Sequence, residues 1–470
     1  MDEVQEQQQP RQQQQQQQPT VAFKVLFRRR FSQYTAAVIA CLGAFSLGCC
    51  IGWSGPSVEL LKSVYNYNTT STNLIASALL LGAPIGLSLV PFLVDRIGRK
   101  WTMMSLAPVF GIGWICVTMG VSKLYLIILG RTITGACGGM FCVISPMYCA
   151  EISEVAIRGT LGTFFQLLLV NGILFAYCTG FTKNMRMISI LCGLGPLFFG
   201  CLMLFMPESP LYYVMKNNEE AARKALRYFR GPDYDIEPDL KALKVNLSLA
   251  LFMKKPVLKT MAIALGLMFA QQFSGVNVVI FYAETIFKLT GIKMDSLVQM
   301  VILGFVQVVA CSCSTLLIDK VGRKPLMMIS CGVMSICMGG IGFFFLQKKG
   351  DSDAPSSLSW LPLTSTCLYI IAFCLGAGPI PWSYLSEIFP VRLKGTASTI
   401  VACANWIMAF TVTMTFSGLV DAVGIAFTFF IYSVNCGLCV MFVKLYLIET
   451  KGKTITQILQ ELGTYDVDDQ

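Results

Sequence analysis

Apolar runs of about 20 residues, each long enough to cross a bilayer as a helix, recur along most of the chain. The pattern predicts twelve spans, at 33–53, 73–94, 101–120, 124–146, 160–182, 186–206, 259–286, 296–318, 325–346, 362–386, 396–419 and 424–447. Most joins are short and polar, but about 50 residues separate the sixth span from the seventh. That insert opens with Pro207-Glu208-Ser209-Pro210, and Asn218 to Arg230 reads as a helix stopped by Gly231-Pro232. The expected fold is therefore an all-α integral membrane protein: a tail at 1–32, a six-helix bundle at 33–206, a linker with short helices at 207–258, a second bundle at 259–447 and a tail at 448–470. Residues 1–20 are rich in Gln and carry nothing to bury, so they are expected to be disordered. No cleavable leader pattern precedes the first span, which is expected to serve as the insertion signal and stay.

The halves are duplicates. Asp95-Arg96-Ile97-Gly98-Arg99-Lys100 returns 224 positions later as Asp319-Lys320-Val321-Gly322-Arg323-Lys324, each between two spans. Glu151, followed seven residues on by Arg158, returns at an offset of 236 as Glu387 and Lys394. Two motifs at similar offsets imply two bundles that run in the same direction.

Composition agrees: 55% of the residues are hydrophobic, 13% are charged and the mean hydropathy is +0.64. Counting Lys and Arg on alternate sides of the spans gives roughly 27 against roughly 8, which puts both termini in the cytoplasm. The formal charge of +10 is thus a topology signal, and no nucleic-acid partner is implied. The 19 cysteines lie mostly inside spans at irregular spacing, Cys436 and Cys439 included, where packing is the simpler reading than disulfide, redox or metal chemistry. The chain has no His, which removes the commonest metal ligand, proton switch and triad base. No catalytic residue, metal site or cofactor is expected. Asn68-Thr69-Thr70 is a glycosylation triplet in the first outside loop.

In the repeated turn, Gly98 and Gly322 permit a tight reversal, while Asp95, Arg99, Asp319 and Arg323 can pair with charges at neighbouring span ends. Glu151, Arg158, Glu387, Arg392 and Lys394 fall on the same side, so these groups are expected to latch the bundles together there. A solvated positive border is the plainer alternative.

At these motifs the chain resembles the sugar porter family of the major facilitator superfamily, from about residue 33 to 455. Further matches are Pro207-Glu208-Ser209-Pro210, Gln271-Gln272-Phe273-Ser274-Gly275-Val276-Asn277, Gly378-Pro379-Ile380-Pro381-Trp382 and Glu449-Thr450-Lys451-Gly452. Among its branches the chain looks most like the animal facilitative glucose carriers and the insect trehalose transporters. The resemblance implies the major facilitator fold and sugar transport by alternating access. It also implies that Glu208 belongs to the latch, although Leu211 stands where the family usually has an Arg partner for it, and Lys394 replaces an Arg.

The residues themselves suit a sugar path. Amides both donate and accept, as hydroxyls do, without the cost of burying a charge. Gln166, Gln271, Gln272, Asn277, Gln307 and Asn405 lie at mid-span depth, where each alone is as readily glue between helices. Pro379 and Pro381 lack N–H groups, so the carbonyls of Leu375 and Ala377 are expected to be unpaired, with Trp382 beside the break to stack on a sugar ring. The resemblance assigns sugar contact to Gln166, Gln271, Gln272, Asn277, Gln307, Trp382 and Asn405, and gate or cavity roles to Phe281, Tyr282 and Phe373. A family Glu near the inside gate is Cys374 here.

No acidic residue falls mid-span, so the expected process is uncoupled movement of a neutral sugar. The resemblance sharpens this: proton-coupled porters carry an Asp in the first span where Cys50 stands, while its partner Arg remains as Arg131. The rival readings are a symporter using Glu284, a sugar sensor, disfavoured by the short C-terminal tail, and a membrane enzyme, disfavoured by the missing chemistry. A monomer in the plasma membrane, with lipid and one small sugar as partners, is expected.

Overall fold

A computed structural model gives the chain as helices throughout its described part. It describes residues 2–154, 157–231, 234–244, 255–290, 294–348, 358, 360–389, 391–451, 453, 457 and 461; within these, the side chains of 2–29, 159, 241–244, 255–257, 290, 315, 316, 318–320, 386, 387 and 391–395 lie outside the description. Twelve helical segments among the described residues are long and apolar enough to cross a membrane.

The first half comprises α1 (Asp2–Ser63), α2 (Thr69–Ile97), α3 (Arg99–Met119), α4 (Leu124–Ile152), α5 (Arg158–Thr179) and α6 (Met185–Met203). The linker holds α7 (Pro210–Met215), α8 (Glu219–Arg230) and α9 (Glu237–Lys244). In the second half, α10 (Lys255–Gln272), α11 (Val276–Phe281) and α12 (Ala283–Thr290) follow in line, then α13 (Ser296–Val321), α14 (Arg323–Gln347), α15 (Leu361–Ala372), α16 (Pro379–Ile388), α17 (Val391–Val423) and α18 (Ile425–Tyr446). The helices overrun the predicted spans because hydropathy marks only the part that meets lipid. The membrane-crossing part of α1 is Arg30–Ser63. The backbone of the Gln-rich tract, expected to lack structure, continues that helix through Pro10 and Pro19.

One predicted span needs correction. The run 259–286 is three pieces rather than one helix, since Gly275 sits at φ +88° and ends the ladder, and a second break falls at Tyr282. Hydropathy did not see this because the residues on both sides stay apolar. The tenth span is also divided: a π-helical turn over Phe373–Ala377 joins α15 to α16.

Within the first half α1 packs on α5 and α6, and α2 and α3 on α4; within the second α14 packs on α15 and α18, and α10 on α16, α17 and α18. Small residues set the closest approaches. A Cβ on Gly82, Gly86, Gly135 or Gly139 would stand within 2.6 Å of a carbonyl oxygen on the facing helix, so α2 and α4 touch backbone to backbone. The halves meet along α2 with α17 and α5 with α13, which pairs the second span of each half with the fifth of the other, as a duplicated fold requires. α1 also meets α11 and α12.

Candidate functional site

The two broken helices place their breaks side by side. Gln271, at the end of α10, donates from Nε2 to Ala377 O and Gly378 O, both at 2.8 Å. Ser314 Oγ approaches Leu375 O at 3.5 Å. The carbonyls freed by Pro379 and Pro381, expected to be unpaired, thus have partners, and this corrects the sequence reading: Gln271 of the other broken span replaces the N–H missing at Ala377 O, and Ser314 of α13 the one missing at Leu375 O. From Gln271 an amide relay runs on. Asn405 Nδ2 donates to Gln271 Oε1 (3.0 Å), Gln272 Nε2 to Asn405 Oδ1 (2.9 Å), and Asn277 Nδ2 to Gln272 Oε1.

The relay is buried but not saturated. Gln271, Gln272 and Asn405 are 3%, 7% and 2% exposed, whereas Asn277 is half-buried and keeps its Oδ1 and one N–H unused among the described residues. Gln307, on α13, is 2% exposed and makes no side-chain hydrogen bond to a described residue. Gln166, on α5, and Trp382, on α16, are half-buried and equally without polar partners there. Buried amides are almost always satisfied, so the donor and acceptor left open at Asn277 are where a polar guest could bind the relay. Phe281 and Phe373 are buried, and Trp406, beside Asn405, adds a buried indole N–H without a partner.

Tyr282 joins the halves. Its hydroxyl donates to Asn73 Oδ1 on α2 (3.0 Å), which also accepts from Ser417 Oγ (3.2 Å), and Tyr177 Oη donates to Ile280 O (3.0 Å). Among the described residues, every side-chain hydrogen bond between the halves lies at mid-span or toward the end that carries Asn68; none lies at the charged-turn end.

Among the described residues, the charged turns make the following contacts within their own half. Arg99, 4% exposed, reaches Glu151 Oε1 from Nη2 (2.9 Å) and Nε (3.0 Å), and Ser209 Oγ donates to Glu151 Oε2. Glu208 caps the start of α3, accepting from the backbone N–H groups of Arg99, Lys100 and Ser209 at 2.7–3.1 Å, so it needs no arginine at position 211. Gly98, at φ +90°, makes room: a Cβ there would stand 2.4 Å from Glu208 Oε2. Burial pushes the Glu208 carboxyl up from its ordinary value, and the three N–H groups and Arg99 oppose the rise without cancelling it.

Glu449 repeats this cap on α14, accepting from Arg323 N and Lys324 N at 3.0 Å, with Gly322 at φ +105° beside it. Its burial alone would raise the carboxyl. The N–H groups of Lys451, Arg323, Lys324 and Thr450 outweigh that and hold it below the usual value. Tyr148 Oη donates to Pro207 O (2.7 Å) and Tyr384 Oη to Ile448 O (3.2 Å), so both caps are braced alike. Asp95 and Arg158 are exposed and join neither cap, while the side chains of Asp319, Glu387, Arg392 and Lys394 lie outside the described residues.

Arg131 lies deeper than expected. Fully buried, it donates to Cys50 O (2.5 Å), Ser54 Oγ (2.6 Å) and Ile75 O (3.3 Å), and its guanidinium lies 4.8 Å from the centre of the Trp53 ring. Carbonyl oxygens and a π face thus take the place of a carboxylate. Glu284 sits near the Asn68 end beside Lys288 and Ser296, apart from the relay. Among the described residues no group of three His, Cys, Asp or Glu side chains is placed to hold a metal.

Sequence reasoning missed Asn73, Ser314 and the capping role of Glu449. Glu449 was legible as the counterpart of Glu208 once both turns had been paired; Asn73 and Ser314 were not, since an isolated polar residue in a span carries no periodic signal.

Comparison with known proteins agrees with this geometry. The family described as "Sugar (and other) transporter" matches residues 4–462. The chain is similar to a facilitated trehalose transporter homologue of Drosophila simulans, 36% identical over 92% of this chain and 91% of that one, and to the facilitated trehalose transporter of Polypedilum vanderplanki, 35% identical over 92% and 88%. Its fold is similar to the inward-open conformation of the xylose transporter XylE of E. coli, with a TM-score of 0.77, 26% identity and coverage of 92% and 99%. The chain is a membrane transporter rather than an enzyme, and it belongs to the sugar transporter family, with the major facilitator fold.

Proposed function

We propose that the chain carries a neutral sugar, trehalose or a hexose, down its own gradient by alternating access, and that Gln166, Gln271, Gln272, Asn277, Gln307, Trp382 and Asn405 form the site. One observation carries the reading: an uncharged amide relay, anchored on two broken helices, leaves a donor and an acceptor open at Asn277, while Gln307, also buried, makes no side-chain hydrogen bond to a described residue. A sugar hydroxyl can complete either kind of valence. The relatives described as facilitated trehalose transporters make that disaccharide the first candidate. Trp382 offers a ring face, and Phe281, Tyr282 and Phe373 close around the path.

The similar XylE structures include one described as a proton:xylose symporter, so coupling is the competing mechanism. Arg131 with backbone carbonyls for partners, and Cys50 beside it, favours uncoupled transport. The excess of Lys and Arg at the charged-turn end supports a cytoplasmic position for that end and both termini, and on that reading the contacts near Asn68 belong to a state closed to the outside. Asn68 is exposed and uses only Oδ1, for capping α2, which leaves Nδ2 for a glycan. We place the protein in the plasma membrane as a monomer.

The test is competition. Labelled trehalose uptake by cells expressing the chain should saturate and be inhibited by unlabelled trehalose or a hexose, and not by a charged sugar acid. Inhibition by the sugar acid alone would contradict a neutral-substrate site.

A further inference from the structure

Away from the amide relay, three charged side chains meet where the halves touch near Asn68. Lys288, on α12, places Nζ 3.0 Å from Glu59 Oε1 on α1 and 3.2 Å from Glu284 Oε1, one turn back on its own helix. Ser296 Oγ, at the start of α13, lies 3.4 Å from the same Glu284 oxygen. Glu284 is 6% exposed, so its carboxylate depends on these two neighbours, whereas the lysine side chain remains about half exposed. Lys288–Glu59 is the ion pair that joins one half to the other among the described residues.

The two contacts of Lys288 differ in kind. The pair with Glu284 lies within one helix and survives any rigid movement of the halves. The pair with Glu59 spans the seam, and rocking α1 away from α12 must break it.

We propose that Lys288 is a clasp: held in place by Glu284, it ties Glu59 to the second half when the Asn68 end is closed, and so biases the carrier toward that state. The clasp rests on the alternating-access reading. Because an ion pair with an exposed partner is weak, releasing it shifts the balance between the two states roughly threefold and does not abolish transport.

The experiment compares the full-length protein with Glu59→Gln, Lys288→Met and the double variant by two readouts. The first is hydrogen exchange of α11 and α12 in the purified protein, measured by mass spectrometry without sugar. The second is the KM for labelled trehalose from each face of oriented vesicles. The clasp predicts faster exchange and a KM ratio between the faces shifted roughly threefold in Glu59→Gln, with the double variant no different from Lys288→Met alone. Exchange at the parental rate in Glu59→Gln, or effects in the double variant that simply add, would overturn it. Should Lys288→Met fail to accumulate because Glu284 is left alone, Glu59→Gln, which keeps the Lys288–Glu284 pair, decides the matter. Faster exchange in a protein that moves no sugar would sustain the clasp and remove the transport reading instead.

Discussion

Gln271→Ala should injure the fold as well as transport, because the Gln271 amide stands in for the helix hydrogen bond that Pro381 removes at Ala377 O. Truncation strips Ala377 O of its donor and Asn405 Nδ2 of an acceptor. A buried polar group left unsatisfied costs about 1–3 kcal/mol, so the Ala377 carbonyl alone accounts for about 1–3 kcal/mol, less what entering water recovers. At roughly 2 °C per kcal/mol for a cooperative unit of about 200 residues, the unfolding midpoint should fall by roughly 2–6 °C. Asn277→Ala removes only the last link of the relay, about 1 kcal/mol, and should lose uptake with little change in midpoint. The assay is thermal unfolding of the purified variants followed by intrinsic fluorescence, beside initial uptake at matched surface abundance. A Gln271→Ala variant that melts with the parent while losing uptake would refute the reasoning, since the Ala377 carbonyl would then not need the amide.

Gly98→Ala combines a positive φ with a Cβ driven against the Glu208 carboxylate, and should lower the midpoint by the equivalent of at least about 1–2 kcal/mol, whereas Gly332→Ala, with open space around it, should not. Glu449→Gln tests the second cap by pH: a carboxyl held below 4.5 contributes stability above that value and loses it as pH falls through the lower folded value, so the variant should be the less stable at neutral pH and converge on the parent below about pH 4.5. Cys50→Asp sets an acid beside the Arg131 guanidinium, and uptake should become sensitive to pH in the variant while staying flat in the parent between about pH 5.5 and 7.5.

Much of the fold was legible because bilayer length and the doubled motifs are linear signals: a run of apolar residues and a repeat offset survive without any knowledge of packing. The amides of α10, α11 and α17 were legible for the same reason, as polar residues where lipid forbids them. The breaks at Gly275 and Tyr282 were not, because the chain stays apolar through both and a break leaves hydropathy unchanged. The Gln271 contact with Ala377 and Gly378 depends on two segments more than a hundred positions apart, which no local pattern encodes. Glu208 was assigned to a latch between the bundles, yet its partners are the backbone N–H groups of α3 within its own half, a role fixed by the turn at Gly98.

The claim beneath all of this is that an uncharged sugar crosses without an accompanying ion. Purified protein in sealed liposomes, given labelled trehalose or glucose with and without an imposed pH gradient, tests it most directly. The account predicts saturable entry that stops at equal concentrations inside and out whatever the gradient. Accumulation above the outside concentration, driven by protons and abolished by an uncoupler, would contradict it.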